Sequence, residues 1–227
     1  MILSIHQPNY LPWLGFFDKI KQSDIFVIFD NVQYPRGKNH FGNRNKIKIP
    51  NKDRWLTVPV AGRSEIKNFN QIGFKNDTWK EEHLRLLKVF YEKSTYFQDY
   101  YKDFSFELRK EYDNLSDLST SLIKYFLKVL DINTEIILSS DIVGDSVTGE
   151  DRVMKILFEL NAKKYITGSG PGSKRYIDEN KFKENNIELV WQDYKHPTYS
   201  QLHGDFIPYM NILDLLFNEG TKSKGVI

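Results

Sequence analysis

The sequence predicts a layered α/β protein with a mostly parallel sheet and a helical insert. The first thirty residues contain the pattern strand, turn, helix, strand, and the same alternation returns after residue 131. Between these two regions lie two strongly amphipathic helical segments. Parallel strands need a crossover connection, which is usually a helix, so this alternation favours a parallel sheet over an antiparallel one.

The amino-terminal elements follow from the positions of apolar residues and prolines. Residues 1–5 and 25–29 are short apolar runs that predict buried strands. Between them, Pro8 and Pro12 end the first strand, and Pro12 suits the first turn of a helix that continues through Lys21. Residues 55–60 predict a further strand.

The middle and carboxyl-terminal parts of the chain have different patterns. Residues 79–92 and 115–130 predict amphipathic helices. Strands are predicted at 135–138, 164–167 and 187–191, with helices at 149–160 and 176–183. We therefore divide the chain into an amino-terminal βαβ half (1–75), a helical insert or lobe (76–131) and a carboxyl-terminal half (132–227) of the α/β domain.

Composition excludes several classes of function. The 32 Lys and Arg against 30 Asp and Glu give a net charge of +2, which does not favour nucleic acid as a partner. The absence of cysteine excludes disulfides, thiolate metal sites and a cysteine nucleophile. No apolar run approaches the roughly 20 residues of a membrane span, and no signal pattern begins the chain, so we expect a cytoplasmic protein. The 15% aromatic content leaves a homodimer open.

Three polar segments follow predicted strands, where ligands bind in parallel sheets. In the first, His6 is the candidate general base because its side chain titrates near neutral pH. The helix that begins near Pro12 would offer unpaired N–H groups to a phosphate or carboxylate. The candidate substrate contacts of this segment are Gln7, Asn9, Tyr10 and Trp13.

The second segment begins with Asp30, at the end of the second predicted strand. Asp30 is the other candidate catalytic residue, because a carboxylate there would orient the substrate or the base. Residues 35–54, the basic run, carry a local charge of +6, for which a solvated loop is the default explanation and a site for a phosphorylated ligand the alternative. The candidate substrate contacts are Tyr34, Asn43 and Arg44.

The third segment is a glycine-rich stretch after the strand at 164–167. Backbone N–H groups in such a loop approach an anion closely, although this one matches neither a Walker A loop nor the dinucleotide-binding pattern. Its candidate substrate contacts are Gly168, Ser169, Gly170, Lys174, Arg175 and Tyr176. The segment at 196–204, here called the tail, adds further candidates: His196, Tyr199, Gln201 and His203. The spacing of its two histidines matches no metal-binding motif, so we predict no metal site.

These segments are expected to meet at one edge of the sheet, because parallel strands end on the same edge. The sequence therefore predicts a single anion-binding pocket. Its expected members are His6, Asn9, Tyr10, Ser169, Lys174 and Arg175, with Arg44 entering from the basic run.

Several motifs together resemble the WbqC-like protein family over nearly the whole chain. They are IHQPNYLPWLGFFDKIKQSDIFVIFDNVQY, NRN at 43–45, WLTVPV, ITGSGPGSKRYID, HPTYSQLHGDF and ILDLLFNEG. The family takes its name from genes in O-antigen and surface-polysaccharide clusters. The resemblance implies work on nucleotide-linked sugars, with modification of an amino sugar. Together with the His, Asp and Arg/Lys side chains of the three strand-end segments, it leads us to expect a transferase of surface-glycan biosynthesis that acts on a nucleotide-activated amino sugar, by N-acyl or aminoacyl transfer. The sequence requires no cofactor beyond this nucleotide-linked substrate.

Two alternative functions remain open. The layout is Rossmann-like and is similar to that of the HIGH-type nucleotidyltransferases, which implies a nucleotidyltransferase or an ATP-dependent ligase. Residues 11–15 offer no second histidine, however, so the motif of those enzymes is incomplete. The other alternative is a non-catalytic protein that binds a sugar nucleotide and serves a partner enzyme.

Overall fold

A parallel sheet forms the centre of the protein. The computed structural model describes residues 1–35, 37, 40–62 and 65–227. Within these ranges the sheet has five strands, in the order β5-β2-β1-β6-β7, and every pairing is parallel. The strands are β1 (Ile2–His6), β2 (Ile25–Ile28), β5 (Glu135–Leu138), β6 (Lys164–Gly168) and β7 (Glu188–Gln192). The predicted layered α/β fold with a mostly parallel sheet is therefore confirmed.

The two central strands are buried because helices cover both faces of the sheet. All four residues of β2 are buried, as expected for a parallel strand between two helical layers. Side chains of one face, including Phe26 and Ile28, join the larger apolar cluster. Those of the other face, including Leu3 and Val27, join a smaller cluster.

The larger cluster contains the helices of the middle of the chain. It combines buried side chains of α1 (Leu14–Lys21), α2 (Thr78–Tyr91), α3 (Phe97–Arg109), α4 (Leu115–Leu130) and α8 (Ile212–Glu219). The predicted helical insert thus packs into the same core as the first helix and the carboxyl-terminal region. The division of the chain at residues 75 and 131 stays a prediction.

The first helix begins two residues after Pro12, and its start depends on a glycine. A Cβ atom on Gly15 would lie 2.2 Å from the indole ring of Trp13, far inside any real contact distance. Glycine at this position therefore allows the Trp13 side chain to fold over the first turn of α1.

The basic run forms a hairpin where the sequence predicted a loop. Strand β3 (Arg44–Ile49) pairs antiparallel with β4 (Lys52–Thr57), which replaces the strand predicted at 55–60. Arg44, Lys46 and Lys48 occupy alternate positions along β3, and Lys48 is itself buried, so the charges concealed its period of two. Arg36 and Lys38 of the predicted run lie outside the described residues.

The smaller cluster lies under the helices of the carboxyl-terminal half. Met154 and Leu157 of α5 (Gly149–Glu159) pack there with Phe182 of α7 (Glu179–Glu184). Two short helices lie here: α6 (Pro171–Tyr176), which precedes the helix predicted at 176–183, and α7, which corresponds to it. The first begins at Pro171 because proline suits the first helical position. The chain ends with α9 (Ser223–Val226). None of the helices in the described ranges combines the length and apolar character that crossing a bilayer requires.

Candidate functional site

A cavity of about 530 Å³ lies at the carboxyl ends of β1 and β6. From β1 the chain adds β2 and β5 on one side of the sheet, and later β6 and β7 on the other. The boundary between β1 and β6 is thus the point where the order of the strands reverses, which is where open α/β sheets bind their ligands. The lining residues are Ile5, His6, Gln7, Lys19, Phe29, Val32, Gln33, Gly149, Glu150, Val153, Tyr165, Thr167, Gly168, Ser173, Tyr176 and Ile177.

His6 lines this cavity as an uncharged imidazole. Its Nδ1 lies 2.9 Å from the carbonyl oxygen of Gln7 and donates to it, which leaves Nε2 as an acceptor. The ring also packs edge-on against Phe16. Burial, together with the charge of Lys19, lowers the pKa of His6 to about 3. A group with this pKa is a weak base at neutral pH, and its Nε2 stays available as a hydrogen-bond acceptor. Both features favour a hydrogen-bonding role over the general-base role that the sequence suggested.

The low pKa of His6 predicts a loss of stability in mild acid. Between about pH 6.5 and pH 4.5 the unfolded chain binds a proton at this residue and the folded chain does not. The free energy of unfolding of the wild type should therefore fall by about 2 kcal/mol relative to a His6→Gln variant over this interval. Urea denaturation of both proteins at the two pH values measures the difference, and parallel pH profiles would contradict it.

Lys19 is a lining residue that was not among the candidates from the sequence. Its side chain is only 2% exposed, and Nζ donates to the carbonyl oxygen of Ile5 at 3.2 Å. Burial lowers the pKa of Lys19 to about 7. A lysine in an amphipathic helix usually faces water, but Lys19 lies three residues after Phe16 and next to Ile20, on the buried side of α1. This position within the apolar side of the helix could have indicated that Lys19 is buried.

The glycine-rich segment reaches the cavity with part of its predicted set. Gly168 lines it directly, and α6 brings Ser173 and Tyr176 to the wall. Ser169, Gly170, Lys174 and Arg175 are exposed and are not lining residues. Because the segment becomes helical at Pro171, positions 173 and 176 face one way while 174 and 175 face another. The predicted phosphate cradle of Lys174 and Arg175 is therefore not formed inside the cavity.

Asp30 is buried outside the cavity and its oxygens are occupied. Its carboxylate accepts from Ser139 Oγ and the Ser140 backbone N–H, both at 2.9 Å, and from Ser140 Oγ at 2.7 Å. A longer bond of 3.3 Å comes from Asn70 Nδ2. These contacts join the end of β2 to the turn after β5, so the geometry fits a structural role and not the predicted catalytic one.

Other candidates of the first two segments are packing residues. Tyr10 is fully buried, with its hydroxyl 2.8 Å from His83 Nδ1. Asn9 and Tyr34 are also buried. Trp13 packs against Tyr194 and Tyr209, and Asn43 donates to the Val58 carbonyl at 2.8 Å. Arg44 stacks on Trp55, with its guanidinium carbon 4.2 Å from the ring centroid. None of these side chains is among the lining residues, so the predicted meeting of Asn9 and Tyr10 with His6 in one pocket is not observed.

The candidates of the tail lie outside the cavity, and two of them, Tyr199 and Gln201, bond to Asp214. Tyr199 Oη and Gln201 Nε2 each donate to its carboxylate at 2.7 Å. His203 Nε2 donates to the Phe90 carbonyl at 2.7 Å. The Nδ1 of His196 donates to the Pro197 carbonyl at 2.8 Å. Across the described ranges, no three His, Asp or Glu side chains converge as a set of metal ligands.

Arg152 holds two walls of the cavity together. Its buried guanidinium donates to three backbone carbonyls, those of Asn31, Val147 and Asp145. Asn31 precedes the lining residues 32 and 33, while α5 supplies the lining residues 149, 150 and 153. Arg152 therefore fixes the start of α5 against the segment after β2. The sequence offered only an arginine within an amphipathic helix, which gave no signal of this contact.

The fold and the cavity define an α/β protein with a cavity at the topological switch point of its sheet. The model of the WbqC-like protein family matches residues 7–225. A protein of Mycobacterium tuberculosis (strain ATCC 25618 / H37Rv), named "Uncharacterized protein Rv1507c", is 33% identical over 229 residues, which cover 99% of this chain and 96% of that protein. The chain belongs to the WbqC-like protein family. No solved structure matches it, so the likeness to Rossmann-like or HIGH-type folds stays a prediction.

Proposed function

We propose that the protein is a transferase of surface-glycan biosynthesis that transfers an acyl or aminoacyl group to the amino group of a nucleotide-activated sugar. The observation that carries this proposal is the cavity at the β1–β6 switch point. Its volume of about 530 Å³ falls within the range of small-molecule sites. The family resemblance of the motifs that surround it supplies the class of substrate.

The lining supports a sugar as the enclosed part of the ligand. Aromatic and aliphatic side chains such as Tyr165 and Val153 form apolar walls. Gln7, Thr167 and Ser173 supply the few polar groups that would bind hydroxyls and fix the orientation of a sugar ring. Lys174 and Arg175 are exposed and adjoin Ser173 along α6, so we assign them to phosphates that remain outside the cavity.

The chemistry follows from the uncharged state of His6. Its Nε2 would accept a hydrogen bond from the amino group of the sugar and direct the nitrogen lone pair at the acyl carbon of the donor. The nitrogen–carbon bond forms as the bond to the leaving group breaks, and the proton of the amine leaves with that group. His6 thus acts by orientation.

A ligand screen followed by a product assay tests the proposal. A nucleotide sugar at 100 times its dissociation constant should stabilise the protein by about 2.7 kcal/mol in a thermal-shift experiment. Incubation of the ligands found with acyl and aminoacyl donors should then give the mass of the acylated sugar. If a full panel of amino-sugar nucleotides gave no stabilisation and no product, this function would be excluded.

A matched pair of threonine variants locates the activity in the cavity. Thr167→Val removes a lining hydroxyl with almost no change of volume, and we expect it to lower kcat/KM about tenfold, because one hydrogen bond contributes about 1 kcal/mol or slightly more. Thr57→Val changes an exposed residue of β4 and serves as the control. Equal activities of the two variants would place the reaction elsewhere.

A further inference from the structure

Lys19 has an environment that suits an uncharged, nucleophilic amine. It borders the cavity from the α1 side, and within the described residues its buried Nζ has one hydrogen-bond acceptor, the carbonyl oxygen of Ile5. An ammonium group has three N–H donors and normally needs a carboxylate partner when it is buried. Among the ion pairs of the described residues, none includes Lys19.

The groups around Nζ do not restore its charge. The ring of Phe26 has its centroid 5.8 Å from Nζ, near the outer limit of a cation–π contact, so it favours the ammonium form less than a carboxylate partner would. The titratable groups that line the same cavity are His6, Glu150, Tyr165 and Tyr176. Of these, His6 is neutral, and the carboxylate of Glu150 accepts from the backbone N–H of Asp178 at 2.6 Å. Desolvation therefore dominates at Lys19, and a large fraction of the amine is unprotonated near pH 7.

We propose that Lys19 forms an imine with an aldehyde or ketone group of a ligand bound in the cavity. The amine nitrogen attacks the carbonyl carbon and forms a carbon–nitrogen bond. The carbonyl oxygen leaves as water after receiving both amine protons, so the condensation needs no oxidant, reductant or further reactant. Buried lysines with an unprotonated amine are the ones that proteins use for this chemistry. The inference uses the same cavity as the proposed transferase, but acyl transfer does not require it.

Reductive trapping tests the inference without knowledge of the natural ligand. The full-length protein is incubated near neutral pH with a limiting amount of pyridoxal 5′-phosphate as the aldehyde probe. Sodium borohydride then reduces any imine, and peptide mass spectrometry locates the modified lysines. We expect Lys19 to be modified at least tenfold faster than Lys21, which lies exposed on the same helix and is the internal control. Modification of Lys21 and other exposed lysines, with Lys19 unmodified in the folded protein, would overturn the proposal.

A Lys19→Met variant tests the uncharged state separately. From about pH 7 to pH 9, the unfolding equilibrium constant of the wild type should fall roughly 50-fold relative to that of the variant, because the unfolded chain binds the Lys19 proton and the folded chain releases it. The same pH dependence in both proteins would mean that Lys19 is charged, and would also overturn the proposal. If Lys19→Met does not fold, trapping in the wild type decides alone. Both experiments are independent of any acyl-transfer activity, so failure of the transferase assay leaves their outcome intact.

Discussion

Replacing Asp214 with alanine is expected to lower the free energy of unfolding by about 3–5 kcal/mol. The carboxylate is fully buried and accepts from the hydroxyls of Tyr91 and Tyr199, at 2.8 and 2.7 Å, and from Gln201 Nε2 at 2.7 Å. Alanine would leave the two buried tyrosine hydroxyls without an acceptor, and each unpaired group costs about 1–3 kcal/mol. Gln201 Nε2 would keep its bond to the Ile207 carbonyl at 3.0 Å. Urea denaturation monitored by circular dichroism measures the loss.

The control for Asp214 is an aspartate with no buried contacts. Asp103 is exposed on α3, so Asp103→Ala should change stability by less than about 0.5 kcal/mol. A comparable loss in both variants would show that the buried hydrogen bonds of Asp214 do not stabilise the fold more than an exposed aspartate does. Tyr199→Phe removes one donor and leaves the carboxylate in place, and its effect should lie between those of the other two variants.

Replacing Arg152 with alanine is expected to cost about 3 kcal/mol of stability and to weaken ligand binding in the cavity. The variant would lose the hydrogen bonds of a buried guanidinium to the carbonyls of Asn31, Val147 and Asp145, and bonds from a charged donor contribute about 1.5–3 kcal/mol. The start of α5 would also separate from the segment after β2. Hydrogen exchange at residues 143–153 should therefore increase more than in the rest of the chain.

An exposed arginine provides the comparison for Arg152. Arg109 forms two hydrogen bonds with Glu81 on the surface, at 2.7 and 3.0 Å. Arg109→Ala should cost less than about 1 kcal/mol, because solvent screens such pairs. If the two alanine variants lost the same stability, the three carbonyl contacts of Arg152 would not support the cavity walls.

The sequence predicted the central sheet because its elements are local patterns. The four apolar residues of β2 and the two prolines after β1 identify a βαβ unit without any knowledge of distant contacts. The ends of β1, β2 and β6 lie on one edge of the sheet because parallel strands end on the same edge. His6 and Gly168 were therefore predicted near the cavity, and the structure places both in its lining.

The positions of the other candidate residues depend on partners that are far away in sequence. The hydroxyl of Tyr10 bonds to His83, which is 73 residues away, and the carboxylate of Asp30 bonds to Ser139, which is 109 residues away. Both looked like exposed ligand contacts because their neighbours in the sequence are polar. Lys19 was missed for the opposite reason, since a lysine in a helix is usually solvated. Sequence patterns thus predicted where the cavity lies better than which residues line it.

The low positive charge of the cavity bears on which end of a ligand would enter it. Near neutral pH, His6 carries no charge and Lys19 carries about half of one, while the carboxylate of Glu150 has Lys181 Nζ at 3.6 Å. The interior therefore gives little electrostatic compensation to a desolvated phosphate, which would favour water outside. A ligand with one neutral and one anionic end would enter with its neutral end first. Because screening by salt acts mainly on exposed charges, ionic strength should change the affinity for the anionic end and leave the fit of the neutral end nearly constant.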